Sequence, residues 1–287
     1  MGQGRPREAP LASRGRMSLI QSIVLGIVQG LTEFLPVSSS AHLRIVPAFL
    51  GWEDPGAAFT AVCQLGTEAA VLIYFRHELW AILTKWLRGP RRYEDPDVRL
   101  GWFLIIATIP IGILGFIFRD QIETGARNLW LIGTVLIVFA LVLGYADRAG
   151  RHERHINQLS PRDGVLIGLA QSLSLIPGVS RSGATMSAGL LLGLERPAAA
   201  RFAFLLAVPA VVASGLFELK DVITGDEHST TPIGYVLVAT LVAFVVGYAA
   251  IAWFLRYLAH HSVRVFVVYR IALGSLVLIL VASGAIS

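Results

Sequence analysis

Long apolar runs separated by short polar stretches organise this chain. Uninterrupted runs lie at about 57–77, 101–118 and 129–146, and again at about 197–219, 233–256 and 265–284. Each approaches the roughly 20 residues that a helix needs to cross a hydrocarbon core. Two further segments, 18–50 and 162–194, are apolar but interrupted near the middle by proline and serines. Such an interruption predicts a pair of short helices that dips into the bilayer and returns. That is tolerated only where the broken backbone is buried in protein or wetted.

The pattern occurs twice. Gly26, Gln29, Leu31, Val37, Ser38 and Ser40 recur 142 residues later as Gly168, Gln171, Leu173, Val179, Ser180 and Ser182. Gly51-x-Glu53-x-Pro55-x-Ala57-Ala58 recurs as Gly193-x-Glu195-x-Pro197-x-Ala199-Ala200. Leu, Val and Ala match easily by chance between apolar segments, whereas Gly, Gln, Glu, Pro and Ser in register do not. The expected fold is therefore an all-α integral membrane protein of two inverted repeats, each a re-entrant helical hairpin followed by three transmembrane helices. Residues 1–17 read as a disordered tail, 18–146 as the first repeat, 147–160 as a cytoplasmic linker and 161–287 as the second repeat, all within one membrane domain. An odd number of crossings per repeat turns the second half upside down.

Composition supports the membrane assignment: 55% of the 287 residues are hydrophobic and only 15% charged, against about 25% charged in soluble domains. Mean hydropathy is +0.66. The net charge of +5 does not indicate nucleic acid, because the basic residues cluster between apolar runs. Lys85, Arg88, Arg91, Arg92 and Arg99 form one cluster, and Arg148, Arg151, Arg154 and Arg162 another; both read as cytoplasmic loops. The stretch 219–231, with Lys220 against Asp221, Asp226 and Glu227, reads as external. Six crossings would put the N-terminus outside despite Arg5, Arg7, Arg14 and Arg16, whereas a spanning 18–36 would put it inside; both arrangements stay open. Cys63, alone in an apolar run, is expected to pack, and His152, His155, His260 and His261 to be solvated.

The chemistry concentrates in the two interruptions. Gln29 and Glu33 lie one turn apart on one helix face, where Glu33 can hold a divalent cation or act as a base. Ser38, Ser39 and Ser40 offer an N-cap and further hydroxyls, and His42 adds a group that exchanges protons near neutral pH. In the second interruption, Pro177-Gly178-Val179-Ser180-Arg181-Ser182-Gly183-Ala184-Thr185 combines two glycines, three hydroxyls, a helix start and a guanidinium. That combination suits phosphate oxygens; the structural alternative is Arg181 paired with Glu33. Gln64 and Glu68 share a face of the 57–77 segment and either line the same cavity or pair across helices. Glu53 and Glu195 read as helix-start or interface residues. Arg270 reads as a snorkelling residue or an anion ligand.

These motifs resemble the bacitracin-resistance type of undecaprenyl-pyrophosphate phosphatase. Gln29-x-x-x-Glu33 continuing into Phe-Leu-Pro-Val-Ser-Ser and His42 matches the family's first motif, and Pro177 to Thr185 its second. The likeness runs through the chain after residue 17, including Gln64-Leu65-Gly66 and Phe202 to Pro209. It implies hydrolysis of undecaprenyl pyrophosphate to undecaprenyl phosphate, recycling the lipid carrier of peptidoglycan synthesis and conferring bacitracin resistance. The site would open to the outer face of a bacterial plasma membrane. Glu33, Ser39, His42 and Arg181 would be catalytic. Gln29, Ser38, Gln64, Gly178, Ser180, Ser182, Gly183 and Thr185 would bind substrate, and Glu33 with Gln29 would hold Mg2+ or Ca2+. Ser39 would attack phosphorus with His42 handling the proton; the rival is attack by water held on the metal. Many members carry Glu where this chain has Gln29, which weakens a mechanism needing two carboxylates on one metal. The partners implied are the polyprenyl pyrophosphate and the bilayer, with a homodimer open. The type-2 phosphatidic acid phosphatases are rejected, since Ser187 stands where they need a histidine. A transporter or flippase of a phosphorylated polyprenyl lipid is the remaining alternative.

Overall fold

The computed structural model describes residues 17–118, 128–209 and 232–286. The described residues are helical, joined by short turns. The expected tail at 1–17, apart from Met17, and the whole of the expected external stretch at 219–231 lie outside them.

Both interrupted segments fold as pairs of short helices. The first comprises α1 (Leu19–Phe34) and α2 (Ser39–Leu50), the helices flanking Pro36. Helix α1 starts at a capping box in which the Ser18 hydroxyl accepts from the Gln21 backbone N–H and the Gln21 side chain accepts in return. The chain continues through α3 (Gly56–Tyr74), α4 (Arg76–Arg88), α5 (Pro96–Ile117) and α6 (Leu129–Ala149). The second interrupted segment is α7 (Pro161–Ser172), a tight helical turn at Leu173–Leu175, and α8 (Arg181–Leu191). Next come α9, described over 196–209, then α10 (Ile233–Leu258) and α11 (Arg264–Ala282).

Among the described residues, α5, α6, α10 and α11 are long and apolar enough to span a membrane. Helix α5 exposes Ile105, Ile109, Ile113 and Phe116 along one stripe, a surface suited to acyl chains rather than water. The chain is a multi-pass membrane protein. The apolar run expected at 57–77 instead ends at Tyr74, and after Phe75 the separate helix α4 begins. Lys85 and Arg88, assigned from sequence to a loop, are the last turn of that helix. Helix α4 alternates exposed Trp80, Leu83 and Leu87 with charges and buries Ile82. Its mixed composition conceals it within a basic stretch. Cys63 is fully buried, as expected.

The segments containing the two basic clusters meet, because Arg99 donates to the Asn157 carbonyl at 2.9 Å. His152, expected to be solvated, is half-buried with Nε2 2.8 Å from the Asp147 carbonyl, whereas His155 is exposed as expected, its Nδ1 2.9 Å from Glu195 Oε2.

The first helix of each broken pair packs against a long helix of the other half: α1 against α10, and α7 against α5. Glycines set these approaches. A Cβ on Gly26 would stand 2.5 Å from the Ala239 carbonyl oxygen, and one on Gly168, its counterpart in the repeat, 2.5 Å from that of Ala107. Small residues at such crossings let backbones come together where lipid offers no hydrophobic drive. Helices α6 and α11 cross in the same way at Gly133 and Gly274.

Candidate active site

The two breaks meet at the centre of the fold. Proline forces the residue before it into extended backbone, and Leu35 has φ −70 and ψ 143, ending α1 ahead of Pro36. Ser38 then turns with φ 75 and caps α2, its hydroxyl accepting from the Ala41 N–H at 3.4 Å. Ser180 repeats the geometry, with φ 75 and its hydroxyl accepting from the Gly183 N–H at 3.1 Å. Only three described non-glycine residues have positive φ, and these are two of them. Such backbone costs about 1–3 kcal/mol per residue and persists where surrounding structure enforces it.

Arg270 helps to enforce it. Its guanidinium is fully buried. Nη1 donates to the Pro36 and Val179 carbonyls, both at 3.1 Å, and Nη2 to Gly178 at 2.8 Å and Val179 at 3.1 Å. Nε donates to the Leu136 carbonyl of α6 at 3.3 Å. One side chain thus ties both breaks and a long helix together. The sequence reading gave Arg270 snorkelling or anion binding; its donors are instead spent on backbone. A Cβ on Gly183 would stand 3.1 Å from Arg270 Nη1, so that glycine makes room for the clamp, while Gly178, with φ +94, approaches the Ile132 carbonyl of α6.

The ionisable groups lie in front of it. Arg181, at the first turn of α8, donates from Nη2 to Glu33 Oε1 at 2.8 Å and to Glu68 Oε1 of α3 at 3.1 Å. The second oxygen of Glu33 accepts from the Ser39 hydroxyl at 2.6 Å and from Gln29 Nε2 at 3.1 Å. Glu33 and Glu68 are buried, and Ser39 is half-buried. A buried carboxylate drawn to an alcohol at this distance can take its proton, and the guanidinium beside it can meet an incoming anion. The Ser182 hydroxyl donates across the breaks to the Leu35 carbonyl at 3.2 Å.

Gln29, Glu33, Ser39 and Arg181 are thus brought into direct contact, while Ser38, Gly178, Ser180, Ser182 and Gly183 build the surrounding turns. Gln64 lies half-buried one turn before Glu68 on α3. Thr185 points back into its own helix, donating to the Arg181 carbonyl at 2.7 Å. His42 does not meet Ser39 in the described contacts. Its Nδ1 lies 2.7 Å from the Ser38 carbonyl and its Nε2 2.7 Å from the Tyr269 hydroxyl. Glu68, which sequence left balanced between cavity and packing, belongs to the central cluster. Arg270 carried a usable signal, a lone cation in an apolar run; Tyr269 carried none.

This architecture defines a polytopic helical membrane protein with a buried polar centre, where two interrupted hairpins bring a carboxylate–serine pair against an arginine. The family model described as "Bacitracin resistance protein BacA" matches residues 22–276. The chain belongs to that family. Similar curated proteins include an undecaprenyl-diphosphatase of a Nocardioides species, 57% identical over 274 residues that cover 94% of this chain and 99% of the relative. Another, from Mycolicibacterium gilvum, is 56% identical with the same coverage. A third, from Thermobifida fusca, is 56% identical over 94% of this chain and 93% of its own length.

Proposed function

We infer that this protein is an undecaprenyl-diphosphatase, cleaving undecaprenyl pyrophosphate to undecaprenyl phosphate and inorganic phosphate. It thereby recycles the lipid carrier of peptidoglycan synthesis and confers bacitracin resistance. The observation that carries the mechanism is the chain of contacts from the Ser39 hydroxyl through Glu33 to Arg181. Glu33 Oε2 takes the Ser39 proton as Oγ bonds to the terminal phosphorus and the bond to the bridging oxygen breaks, releasing undecaprenyl phosphate. Water then cleaves the phosphoserine and restores the Ser39 hydroxyl. Arg181 exchanges part of its carboxylate pairing for phosphate oxygens, and the start of α8 adds its N-terminal dipole. Ser180, Ser182 and the adjoining glycines shape this anion site, and Gln64 lies at its edge. Thr185 acts by holding the turn that carries Arg181.

A divalent cation fits the same cluster. The Gln29 Oε1 and Glu68 Oε2 atoms are buried without hydrogen-bond partners, and with Glu33 they form a set of hard oxygen donors suited to Mg2+ or Ca2+. When bound, the ion offsets the pyrophosphate charge.

The exchanged packing of α1 with α10 and α7 with α5 supports inverted repeats at 18–146 and 161–287 joined by a cytoplasmic linker at 147–160. The neighbouring basic clusters then face the cytoplasm of a bacterial plasma membrane, and the site opens outward. A homodimer is compatible with this reading, which needs one chain's residues only.

The test is phosphate release from undecaprenyl pyrophosphate by purified protein in detergent, with Mg2+ and Ca2+ supplied in turn. Wild-type release that collapses in Arg181→Ala supports the reading. Full activity in Ser39→Ala would move attack to water. No wild-type release, together with lipid movement across sealed vesicles, would favour the transporter.

A further inference from the structure

His42 is 5% exposed, so the way it exchanges a proton with the site must be built into its surroundings. Both ring nitrogens are engaged. A carbonyl oxygen only accepts, so the 2.7 Å contact with Ser38 O requires hydrogen on Nδ1. In the neutral ring Nε2 is then an acceptor, and the hydrogen in its 2.7 Å contact belongs to the Tyr269 hydroxyl. The two rings also stack, with centroids 5.6 Å apart and planes 11° from parallel. Tyr269 is 44% exposed. It therefore joins a buried imidazole to the surface of the helix bundle. The charged neighbour acting on His42 is Arg270, the next residue on α11 and itself fixed by four carbonyls.

We propose that Tyr269 is a positioning and proton-relay residue of this site, acting through His42. The Ser38 carbonyl fixes the tautomer, and Tyr269 makes Nε2 the one nitrogen that gains or loses a proton. When Nε2 takes the Tyr269 proton, the phenol oxygen receives another from a water molecule or a substrate phosphate oxygen, so the hydroxyl is restored and the charge ends on the imidazole. The reverse transfer returns a proton to the departing phosphate. Ser39 and His42 are three residues apart on α2, which puts both on one helix face. His42 thus shares a helix face with the hydroxyl that Glu33 accepts from. The proposal rests on the phosphatase reading for its role, but not for its geometry.

Tyr269→Phe keeps the stacked ring and removes only the hydroxyl. The expected result is a kcat for phosphate release lowered about tenfold, the equivalent of one good hydrogen bond, with KM unchanged within about twofold. Combined with His42→Ala, it should add nothing to the loss from His42→Ala alone, because both changes cut one relay. A Tyr269→Phe kcat within about twofold of wild type, or losses that multiply in the double variant, would overturn the proposal. The geometry is tested independently of turnover by nitrogen NMR of 15N-histidine-labelled protein, with His42→Ala identifying the signal. A hydrogen on Nδ1 and an Nε2 signal that moves in Tyr269→Phe are expected. A hydrogen on Nε2, or no response to Tyr269→Phe, refutes the pairing even if the enzyme is active. Absent wild-type turnover with the expected NMR response would instead sink the phosphatase reading and leave the pair standing.

Discussion

Ser38 and Ser180 leave their broken helices with the same φ of 75, and each serine lies close to the hydroxyl two residues on, at 3.2 Å for Ser40 and 3.1 Å for Ser182. The side chains around these matching turns differ. At the 142-residue offset Glu33 corresponds to Leu175, Ser39 to Arg181 and His42 to Ala184. The first hairpin carries the carboxylate, the alcohol and the imidazole; the second carries the guanidinium. Two carboxylate hairpins facing each other would repel, as would two arginine hairpins. The division of charge lets the turns dock through the 2.8 Å Arg181–Glu33 contact and leaves an alcohol and a guanidinium on opposite sides of one carboxylate. The same strained turn thus occurs twice in the chain, each time carrying different side chains.

The most forceful way to break this comparison is to make the first hairpin like the second. Glu33→Leu copies Leu175 into the first turn, removing the acceptor for Ser39 and one of the two partners of Arg181. Phosphate release from undecaprenyl pyrophosphate should fall by about 10²–10³-fold, combining loss of a base with loss of electrostatic alignment. Initial rates, with size-exclusion chromatography to verify folding, measure this; a rate above about a tenth of wild type would remove Glu33 from the reaction.

A smaller loss is expected from the residue that serves both copies. Arg270→Gln cannot span the Pro36, Gly178, Val179 and Leu136 carbonyls, and buried acceptors left without donors cost about 1–3 kcal/mol each. Thermal unfolding in detergent should report a destabilisation of about 3 kcal/mol, with activity lost at temperatures where the wild type is stable. Unchanged unfolding would show that the turns hold themselves.

How much of this was readable depended on whether the cause was local. Pro36, the serines and the register of Gly, Gln and Ser between the halves are local signals, and they located both hairpins and most of the central cluster. Helix α4 was missed because Glu78, Lys85 and Arg88 dilute its apolar face until it reads as loop. The role of Arg270 depended on carbonyls 91 to 234 residues away, and backbone acceptors leave no mark in a side-chain pattern. His42 was identified as chemical from its neighbourhood, but its partner lies 227 residues on. Nothing along the first hairpin distinguishes a histidine aimed at Ser39 from one aimed at Tyr269.

Thr185 gives the finest test of the comparison. Its counterpart at the 142-residue offset is Leu43, which has no hydroxyl, so the pair asks whether the second turn of each helix contributes chemistry. Family resemblance makes Thr185 a substrate ligand. The structure instead spends its proton within α8, at 2.7 Å from the Arg181 carbonyl and 3.2 Å from that of Ser182. The hydroxyl therefore steadies the turn that aims Arg181, and a helix retains that turn without it. Thr185→Ala should lower kcat/KM by about threefold or less and cost about 1 kcal/mol of stability, the value of an ordinary hydrogen bond. A loss approaching that of Arg181→Ala, with stability unchanged, would mean that Thr185 turns toward the phosphate during the reaction and that the anion site extends a full helical turn deeper.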